Sequence, residues 1–291
     1  MKSLNPVYNP SSFFGLIGKP IDTSLSPLMF NSIFDQSKIN SVYVPFTVAE
    51  HDLKNAVLGL RSLGVSGFNV TIPHKVSIIN ELDSIDDVSL KVGAVNTVSH
   101  NDDLLMGFNT DVEGFLRPLK DMNLSLKGKK ASILGSGGAA RSCIFGLSTL
   151  GIDDFSIISR NKLTADKVSQ DLGNDVTIAA FSSSDVSSEK AFKSSDIIVN
   201  ATPIGRYPSN EFPINISWIS NEQIIYDLVA NPLKTKFILT AESLGCIVIP
   251  GYLMLVEQAA LSFKIWTGLD APILLMKNIV EKELGGITNE S

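Results

Sequence analysis

Residues 67–75, Gly-Phe-Asn-Val-Thr-Ile-Pro-His-Lys, place polar side chains at the end of a short apolar strand. Asn69 and Thr71 alternate with apolar residues, Pro73 ends the pattern, and Lys75 follows. Buried Asn and Thr need hydrogen-bonding partners, so such a segment is a costly way to build a plain core strand. It therefore predicts a pocket for a small polar molecule, with a lysine at the carboxyl end of the strand.

A glycine-rich turn, Gly-Ser-Gly-Gly-Ala-Ala at residues 135–140, directly follows a predicted strand over residues 129–134. A helical pattern starts at its end, so the turn fits G-x-G-x-x-(G/A) in the strand–turn–helix context that this motif requires. Glycines there let backbone N–H groups approach a pyrophosphate at the positive end of the helix. The context favours a dinucleotide site over an ordinary turn.

Arg160 marks the end of the next predicted strand, about 20 residues beyond the glycines. An NAD site usually has Asp or Glu at this distance, where the carboxylate binds the ribose hydroxyls. Arginine instead grips a phosphate and stacks on a base, so Arg160, with Lys162 nearby, favours NADP over NAD. The alternative is that Arg160 is a solvated charge at a strand end.

Other short segments of the first half also end in polar residues. Ser26, before a proline, is a plausible helix cap, but that explains one serine, and together with Ser24 it offers two hydroxyls for a carboxylate. The segments 93–97 and 107–111 end in Asn, Thr and Asp, and each alone is typical of a turn. Together with Lys75 they supply a cation, an anion and neutral hydrogen-bonding groups near element ends.

Composition argues against several classes of protein. The 291 residues are 44% hydrophobic and carry a net charge of −6 without a basic run, which disfavours nucleic acid or an anionic membrane as a partner. Cys143 and Cys246 lie far apart in apolar segments, as in a reduced cytoplasmic protein, and have no metal-ligand spacing. No apolar run reaches about 18 residues and the start lacks a signal-peptide layout, so we expect a cytoplasmic protein without a membrane span.

Short apolar runs alternate with helical patterns, which indicates parallel sheets with crossover helices. The predicted strands cover residues 13–17, 42–46, 67–72, 132–134, 155–158, 197–200, 224–228 and 247–249. The predicted helices include residues 27–36, 50–63, 112–121, 139–150, 163–172, 234–244 and 253–268. We predict two α/β domains, residues 1–110 plus 250–291 and residues 111–249, because the last helix returns to the first domain.

In their order along the chain, these motifs resemble the shikimate dehydrogenase family, which includes shikimate and quinate dehydrogenases. The resemblance covers nearly the whole chain and rests on residues 24–27, 69–75, 93–97, 109–111, 135–140, 200–205 and 254–258. It implies an N-terminal α/β substrate-binding domain and a Rossmann-type NADP domain with a doubly wound parallel sheet. The implied activity is reversible reduction of 3-dehydroshikimate to shikimate with NADPH, in the shikimate pathway of aromatic amino-acid biosynthesis.

The resemblance also implies roles for individual residues, and it implies no metal. Lys75 and Asp111 form the catalytic pair that handles the proton. The implied substrate-binding residues are Ser24, Ser26, Thr71, Lys75, Asn96, Asp111 and Gln258. The implied cofactor-binding residues are Gly135, Ser136, Gly137, Gly138, Ala139, Arg160, Thr202, Leu228, Gly251 and Asp87. We expect a monomer or homodimer that binds a small-molecule substrate.

Hydride addition to a ketone creates an alkoxide, and a lysine within reach either donates a proton to it or stabilises its charge. Which of these Lys75 does stays open, as does a plain ion pair with Asp111. Thr23, Ala230 and Arg206 depart from the family pattern, where histidine, tyrosine and methionine are common. These departures keep two alternatives open: a quinate/shikimate-type dehydrogenase or paralogue for another cyclic polyol acid, and, less favoured, an NADP-binding regulator without turnover.

Overall fold

A computed structural model describes residues 10–209 and 211–285, which divide into two compact units. Unit 1 comprises residues 10–90, Ala94–Thr110 and Ala259–Val280, whereas unit 2 comprises Lys91–Gly93, Asp111–Gln258 and residues 281–285. The units are defined by packing alone, so the predicted division into a substrate-binding and a cofactor-binding part stays a prediction. None of the helices in the described residues combines the length and apolar character of a membrane span.

Strands and helices alternate along most of the chain. The strands are β1 (Ser12–Gly18), β2 (Ser41–Thr47), β3 (Gly67–Val70), β4 (Ser84–Ile85), β5 (Thr97–Asn101), β6 (Leu104–Phe108), β7 (Lys130–Leu134), β8 (Asp154–Ser159), β9 (Thr177–Ser182), β10 (Ile197–Asn200), β11 (Ile224–Asp227) and β12 (Ile247–Pro250). The helices are α1 (Ser26–Gln36), α2 (Leu53–Ser62), α3 (Asp87–Val92), α4 (Asp111–Asp121), α5 (Gly138–Thr149), α6 (Lys162–Leu172), α7 (Val186–Lys193), α8 (Lys236–Ser243), α9 (Gly251–Thr267) and α10 (Ile273–Gly285).

The sheet of unit 1 has the order β2-β1-β3-β5-β6-β4. β1 pairs in parallel with β2 and β3, but β5 pairs antiparallel with both β3 and β6. The predicted parallel pairing therefore holds for β1 with β2 and β3 and for β4 with β6, whereas β5 is an antiparallel strand that the alternation of strands and helices does not predict. Asp102 and Asp103, between β5 and β6, have φ of 49° and 62°, and positive φ at both central residues gives a two-residue turn the twist that a hairpin requires.

Aromatic side chains fill one face of this sheet. Phe30 of α1 stacks on Tyr43 of β2 with ring centroids 4.5 Å apart, and Phe14 of β1 stacks on Trp266 of α9 at 4.8 Å. Trp266 Nε1 donates to the Val98 carbonyl of β5 at 2.9 Å. The end of α9 thus packs on the N-terminal sheet, which confirms the predicted return of the C-terminal helix. The opposite face holds a mainly aliphatic core that includes Ile17, Val57, Leu60, Ile78 and Val95, together with Phe68.

The sheet of unit 2 is parallel throughout, in the order β12-β11-β10-β7-β8-β9. Counted from β7, this is the order 3-2-1-4-5-6 of the Rossmann fold. β10 and β11 are buried along their whole length, as the apolar runs predict for central parallel strands. The order reverses between β7 and β10, and ligands bind beyond the carboxyl ends of strands at such a point. The predicted doubly wound sheet is confirmed.

Helices cover both faces of the unit 2 sheet. On one face, Phe192 of α7 and Phe237 of α8 pack in a core with the central strands. On the other, Phe115 of α4 stacks on Tyr226 of β11 with ring centroids 4.7 Å apart. A Cβ on Gly146 of α5 would lie 3.3 Å from a side-chain atom of α4, so this glycine sits where the two helices pack closely.

Candidate active site

The polar strand end of unit 1 belongs to a buried hydrogen-bond network. Asn69 is 6% exposed, and its Oδ1 accepts a hydrogen bond from the Tyr43 phenol at 2.8 Å. Its Nδ2 donates to Thr97 Oγ1 and to Ser262 Oγ, both at 3.0 Å. The Thr97 and Ser262 hydroxyls are 2.8 Å apart. The protein itself therefore supplies the partners that a buried asparagine requires, and these bonds fix β3 against α9.

Asn96, on the loop before β5, is held by the segment that precedes Asp111. Asn96 is buried; its Oδ1 accepts from the Thr110 backbone amide at 2.7 Å, and its Nδ2 donates to Thr110 Oγ1 at 2.8 Å. A backbone N–H can only donate, so this bond determines which end of the Asn96 amide is the oxygen. We call the six connected residues the amide–hydroxyl network: Tyr43, Asn69, Asn96, Thr97, Thr110 and Ser262.

Thr71 and Lys75 lie just beyond β3 rather than on it, because β3 ends one residue before Thr71. The Thr71 amide donates to the Ile17 carbonyl, and the His74 amide donates to the Thr71 carbonyl, both at 2.9 Å. The Lys75 carbonyl accepts from the Val95 amide at 2.7 Å. This turn leaves Thr71 and Lys75, both half-buried, at the carboxyl end of β3.

Ser24 and Ser26 lie at the start of α1, but the interpretation of Ser26 as its cap is wrong. The cap position is Leu25, and the Ser26 amide donates to Ser24 Oγ at 3.3 Å. Ser26 is buried. Burial raises the pKa of Tyr43 well above its usual value, and a hydrogen bond from Ser26 partly opposes that rise. Ser26 therefore adjoins the amide–hydroxyl network at its Tyr43 end.

Asp111 and Gln258 both belong to unit 2 and stand where the chain passes from one unit to the other. Asp111, the first residue of α4, is 3% exposed. On α9, Gln258 Nε2 donates to the Leu255 carbonyl at 2.8 Å. A Cβ on Gly114 would lie 2.8 Å from the Gln258 backbone nitrogen, so the two helices touch there. Residues three apart share a helix face, which places Asp111 on the side of α4 that faces α9.

The glycine turn has the shape and the open space that a pyrophosphate requires. Gly135 has φ of 102°, a conformation that favours glycine, and a Cβ there would lie 3.1 Å from the Ala201 carbonyl oxygen. At Gly137, no atom of the described residues lies within 4 Å of the Cβ position. α5 begins at Gly138, with Ala139 in its first turn. Open glycine backbone at a helix start fits the diphosphate of a dinucleotide.

Arg160 is exposed on the loop after β8. Ser136, in the glycine turn, has its Oγ 3.0 Å from Ser159 Oγ and 2.7 Å from Thr164 Oγ1. These two contacts tie the turn to both ends of the loop that carries Arg160. Lys162, the first residue of α6, forms an ion pair at 2.8 Å with a carboxylate one turn further along the helix.

Thr202, Leu228 and Gly251 follow the neighbouring strands β10, β11 and β12. Thr202 Oγ1 donates to Asn200 Oδ1 at 2.6 Å, and the Leu228 amide donates to the Asn200 carbonyl at 2.9 Å. A Cβ on Gly251 would lie 2.6 Å from the Leu228 carbonyl oxygen, so only glycine fits. These segments meet the glycine turn at one edge of the unit 2 sheet. Asp87, the remaining predicted cofactor residue, is instead exposed at the start of α3 in unit 1.

Asp227 is a buried carboxylate at the same edge, and the sequence carries no obvious signal of it. Its Oδ1 accepts from Asn200 Nδ2 at 2.8 Å and from the Val229 amide at 3.1 Å, and its Oδ2 accepts from Thr235 Oγ1 at 2.6 Å. Burial raises the pKa of Asp227 from 3.8 to about 6, although these three donors oppose the rise. We call Asp227, Asn200 and Thr235 the carboxylate hub. Its one signal is that Asn200 ends one predicted strand and Asp227 lies one residue before the end of the next, residues 224–228.

Two segments of the chain match known families. Residues 16–98 match the shikimate dehydrogenase substrate binding domain, and residues 251–281 match the shikimate 5'-dehydrogenase C-terminal domain. A relative from Moorella thermoacetica, named shikimate dehydrogenase (NADP(+)), is 40% identical over 273 residues, which are 93% of this chain and 92% of the relative. The chain belongs to the shikimate dehydrogenase family. The predicted family membership is thereby confirmed.

Solved structures of shikimate dehydrogenase family members share the fold. Shikimate 5-dehydrogenase from Thermus thermophilus, in complex with NADP(H) and shikimate, is 30% identical with a TM-score of 0.81, covering 93% of this chain and 99% of that one. Quinate dehydrogenase from Corynebacterium glutamicum, in complex with NAD, is 26% identical with a TM-score of 0.83, covering 94% and 100%. The predicted two-domain fold class is confirmed.

The positions that depart from the usual shikimate dehydrogenase pattern all lie outside regular helices and strands. Thr23 is exposed directly before Ser24, and Ala230 is half-buried in the loop after β11. Arg206 is half-buried, and its amide donates to the Pro203 carbonyl at 3.1 Å. The departures therefore leave the sheets and their cores unchanged and affect loops at the carboxyl ends of β1, β10 and β11.

Proposed function

We propose that this protein is an NADP-dependent shikimate dehydrogenase. It catalyses the reversible reduction of 3-dehydroshikimate to shikimate in the shikimate pathway of aromatic amino-acid biosynthesis. The observation that carries the proposal is the 40% identity, over 93% of the chain, to a relative named shikimate dehydrogenase (NADP(+)). That chemistry depends on three features, and this chain has all of them: the glycine turn, Arg160 and the polar end of β3.

NADP(H) binds at the carboxyl edge of the unit 2 sheet in this proposal, and it supplies or accepts the hydride. The residues that hold it are Gly135, Ser136, Gly137, Gly138, Ala139, Arg160, Thr202, Leu228, Gly251 and Asp87. The open backbone at Gly137 supports the placement of the diphosphate. Arg160 grips the 2′-phosphate that distinguishes NADP from NAD, because a guanidinium binds phosphate oxygens with two parallel hydrogen bonds.

The substrate is a small cyclic hydroxy acid with one carboxylate and several ring hydroxyls. Ser24 and Ser26 bind the carboxylate; the proposed ring-binding residues are Thr71, Lys75, Asn96, Asp111 and Gln258. Burial supports Ser26 as a carboxylate-binding residue and Asn96 as a ring-binding residue. Hydrogen bonds also hold each of them at one end of the amide–hydroxyl network, Asn96 through Thr110 and Ser26 through Tyr43. Preorganised donors and acceptors of this kind distinguish a substrate hydroxyl from a hydrogen by several kcal/mol, because an unmatched buried polar group is costly.

Lys75 and Asp111 handle the proton in the proposed mechanism. When hydride reaches the ketone carbon, negative charge develops on its oxygen, and the Lys75 ammonium donates a proton to that oxygen. In the reverse direction, neutral Lys75 accepts the hydroxyl proton as hydride leaves. Asp111 is the second member of this proposed pair, and its role is to orient the lysine.

A four-way assay tests the proposed function directly. Purified protein is given shikimate or quinate with NADP or NAD, and reduction of the nucleotide is followed by absorbance. We expect the highest kcat/KM for shikimate with NADP. Turnover with quinate and NAD but none with shikimate and NADP would refute the proposal. Calorimetric binding of NADP with no oxidation of either acid would instead support a regulator without turnover.

A quinate/shikimate-type dehydrogenase, or a paralogue for another cyclic polyol acid, is the second candidate. It is favoured by Ala230 and Thr23, which stand where the family commonly has tyrosine and histidine. A smaller residue at 230 removes a phenol and leaves room for an added hydroxyl. Comparable kcat/KM values for quinate and shikimate would favour this candidate, whereas a preference for shikimate of about 10²-fold or more would exclude it.

We also propose that the protein acts in the cytoplasm as a monomer or homodimer. Cys143 and Cys246 are both buried thiols rather than half-cystines, which supports a reducing compartment. Light scattering of the purified protein separates one chain mass from two.

A further inference from the structure

Asp227 has no role in the chemistry proposed above, yet three segments of unit 2 converge on its carboxylate. Its two oxygens accept from the side chain of Asn200, which ends β10, from the backbone of Val229 and from the hydroxyl of Thr235. Asn200 and Asp227 are register partners on neighbouring parallel strands. Thr235 is the cap of α8, since its Oγ1 accepts from the Ile238 amide at 3.2 Å.

Asn200 extends this hub into the loop after β10. Its Oδ1 accepts from both the amide and the hydroxyl of Thr202, at 3.1 and 2.6 Å. Its Nδ2, which donates to Asp227, also donates to the Ile204 carbonyl at 3.1 Å. The Thr202 hydroxyl in turn accepts from the Ile204 amide at 3.2 Å. The path of this loop is therefore set by one asparagine whose amide is oriented by Asp227.

The loops held by the hub are those that border the glycine turn and the start of α9. A Cβ on Gly135 would lie 3.1 Å from the Ala201 carbonyl oxygen, and one on Gly251 would lie 2.6 Å from the carbonyl oxygens of Asp227 and Leu228. Thr202 and Leu228, which we assign to the cofactor site, lie one or two residues from the hub. A shift of Asp227 would therefore move both loops against neighbours that leave no space.

A carboxylate is a costly choice for this position if its purpose is only to stabilise the fold. Asp227 is fully buried, and its three donors are an amide, a hydroxyl and a backbone N–H, which are all neutral. Burying a charge among neutral partners costs free energy, and burial raises the pKa of Asp227 to about 6. A carboxylate has several acceptor sites on its two oxygens, so it can accept hydrogen bonds from three segments at once.

We propose that Asp227 is a positioning residue of the cofactor site: through Asn200, Val229 and Thr235 it sets the loops that carry Thr202 and Leu228. This inference rests on the proposed function, because it assigns those loops to NADP. Asp227 does not contact the reacting atoms and acts only through its neighbours, so its loss weakens NADP binding and leaves shikimate binding unchanged.

Calorimetric Kd values for NADP and for shikimate, measured on the full-length protein, test this role. We expect Asp227→Ala to raise the NADP Kd about tenfold or more, which corresponds to about 1.4 kcal/mol, and to leave the shikimate Kd unchanged. Asp227→Asn keeps an oxygen for Asn200 and Val229, so it should retain NADP binding within about threefold of wild type. Such rescue by an uncharged isostere identifies hydrogen-bond geometry as the cause.

Asp196→Asn is the matched control, because Asp196 lies at the opposite end of the same strands. Its carboxylate accepts from Lys129 Nζ at 2.9 Å and from the Lys130 amide at 2.8 Å, just before β10. We expect this substitution to lower the Tm without changing either Kd. A folded Asp227→Ala protein with the wild-type NADP Kd, or one in which both Kd values rise together, would overturn the positioning role.

Thr235→Val keeps the test decisive if Asp227→Ala does not fold. Valine preserves the shape of threonine and removes the hydroxyl that donates to Asp227 Oδ2. We expect the NADP Kd to rise about threefold with no change for shikimate, and an unchanged NADP Kd would contradict the proposal. If wild-type protein bound no NADP at all, the proposed function would fail and the positioning role with it, whereas wild-type binding with unaffected variants refutes the positioning role alone.

Discussion

The two units both bury polar side chains at the ends of strands, but they use different chemistry to do so. The amide–hydroxyl network of unit 1 consists of neutral groups that satisfy one another, with Asn69 and Ser262 among its most connected members. The carboxylate hub of unit 2 is built around Asp227, an ionisable group that is fully buried. Each arrangement orders loops at the carboxyl edge of its sheet.

This difference separates the two units in their expected response to pH. Neutral amides and hydroxyls keep the same hydrogen bonds between pH 4 and 8, so the network around Asn69 holds its geometry whatever the proton concentration. A buried carboxyl group must change its charge in that range when its pKa is raised. Hydrogen bonds to a carboxylate are also stronger than those between neutral groups. The loops of unit 2 are therefore held by stronger hydrogen bonds, but their stability depends on pH.

The largest expected effect is a change in stability between pH 4 and pH 7. The quantity to follow is the free energy of unfolding of the wild-type protein minus that of Asp227→Asn, measured at each pH. The folded state keeps the Asp227 proton up to a pKa of about 6, whereas the unfolded chain loses it near 3.8. The folded state therefore binds more protons in this window, and stability falls as pH rises. The pKa difference corresponds to a loss of about 3 kcal/mol, complete above pH 6.

Urea unfolding at several pH values measures this difference, and Ser262→Ala is the control from unit 1. Its free energy of unfolding, relative to wild type, should not depend on pH, because the groups that Ser262 contacts in the network do not titrate there. Equal pH dependence of wild type and Asp227→Asn would contradict the assignment of the raised pKa, and with it the contrast between the units.

The second prediction concerns the chemistry assigned to unit 1. Lys75→Ala should lower kcat for shikimate oxidation by about 10²-fold or more, because general acid–base catalysis contributes at least that factor. The NADP Kd should not change, since the proposed cofactor residues other than Asp87 lie in unit 2. Steady-state kinetics with both substrates varied, together with calorimetry, provides both values.

Lys54→Ala is a matched control for this prediction, because Lys54 is an exposed lysine on α2 of the same unit. It should leave kcat and both KM values unchanged. An increase in KM for shikimate with an unaltered kcat in Lys75→Ala would mean that Lys75 binds the substrate but does not transfer the proton.

The parts of the molecule that sequence predicts well are those with local causes. The glycine turn, its strand β7 and its helix α5 are adjacent in sequence, and the apolar runs of β10 and β11 are dictated by burial on both faces. The hairpin of β5 and β6 is not predicted, because polar residues such as His100 and Asn101 obscure the alternation of apolar and polar residues that marks a strand. Its turn is also Asp-Asp rather than the Asn-Gly or Asp-Gly that most strongly signals a hairpin.

The residues that sequence cannot predict owe their roles to distant partners. In the sequence, Asp227 looks like an ordinary acidic residue before a loop. Only the register of β10 with β11 places it beside Asn200 in a buried position. Gly114 reads as a weak point of a helix, whereas the approach of Gln258 on α9 leaves no room for a side chain. Ser262 has no motif at all, and its place in the network arises because α9 returns to the N-terminal sheet.

The third prediction concerns Arg160, the exposed residue of unit 2 that we propose binds the 2′-phosphate of NADP. Arg160→Ala should raise the KM for NADP about tenfold, about 1.4 kcal/mol, because a charge-assisted pair with the 2′-phosphate is lost. The KM for NAD should stay the same, since NAD lacks that phosphate. Lys162→Ala, at the first residue of α6, is the control, and it should change neither value appreciably because Lys162 already pairs within that helix. Equal effects of Arg160→Ala on NADP and NAD would contradict the 2′-phosphate role.

The smallest expected effect comes from Ser262→Ala, which removes one hydroxyl from the amide–hydroxyl network at a residue outside the proposed site. Asn69 and Thr97 each lose a hydrogen-bonding partner in a buried site, so stability should fall by about 1 kcal/mol. The KM for shikimate should rise about threefold, since Thr97 and Thr110 also anchor Asn96. Ser188→Ala removes a buried hydroxyl from unit 2, where it donates to the Ser182 carbonyl at 2.7 Å. That control should cost similar stability yet leave the shikimate KM unchanged; a matching rise in both variants would mean that the network only stabilises the fold.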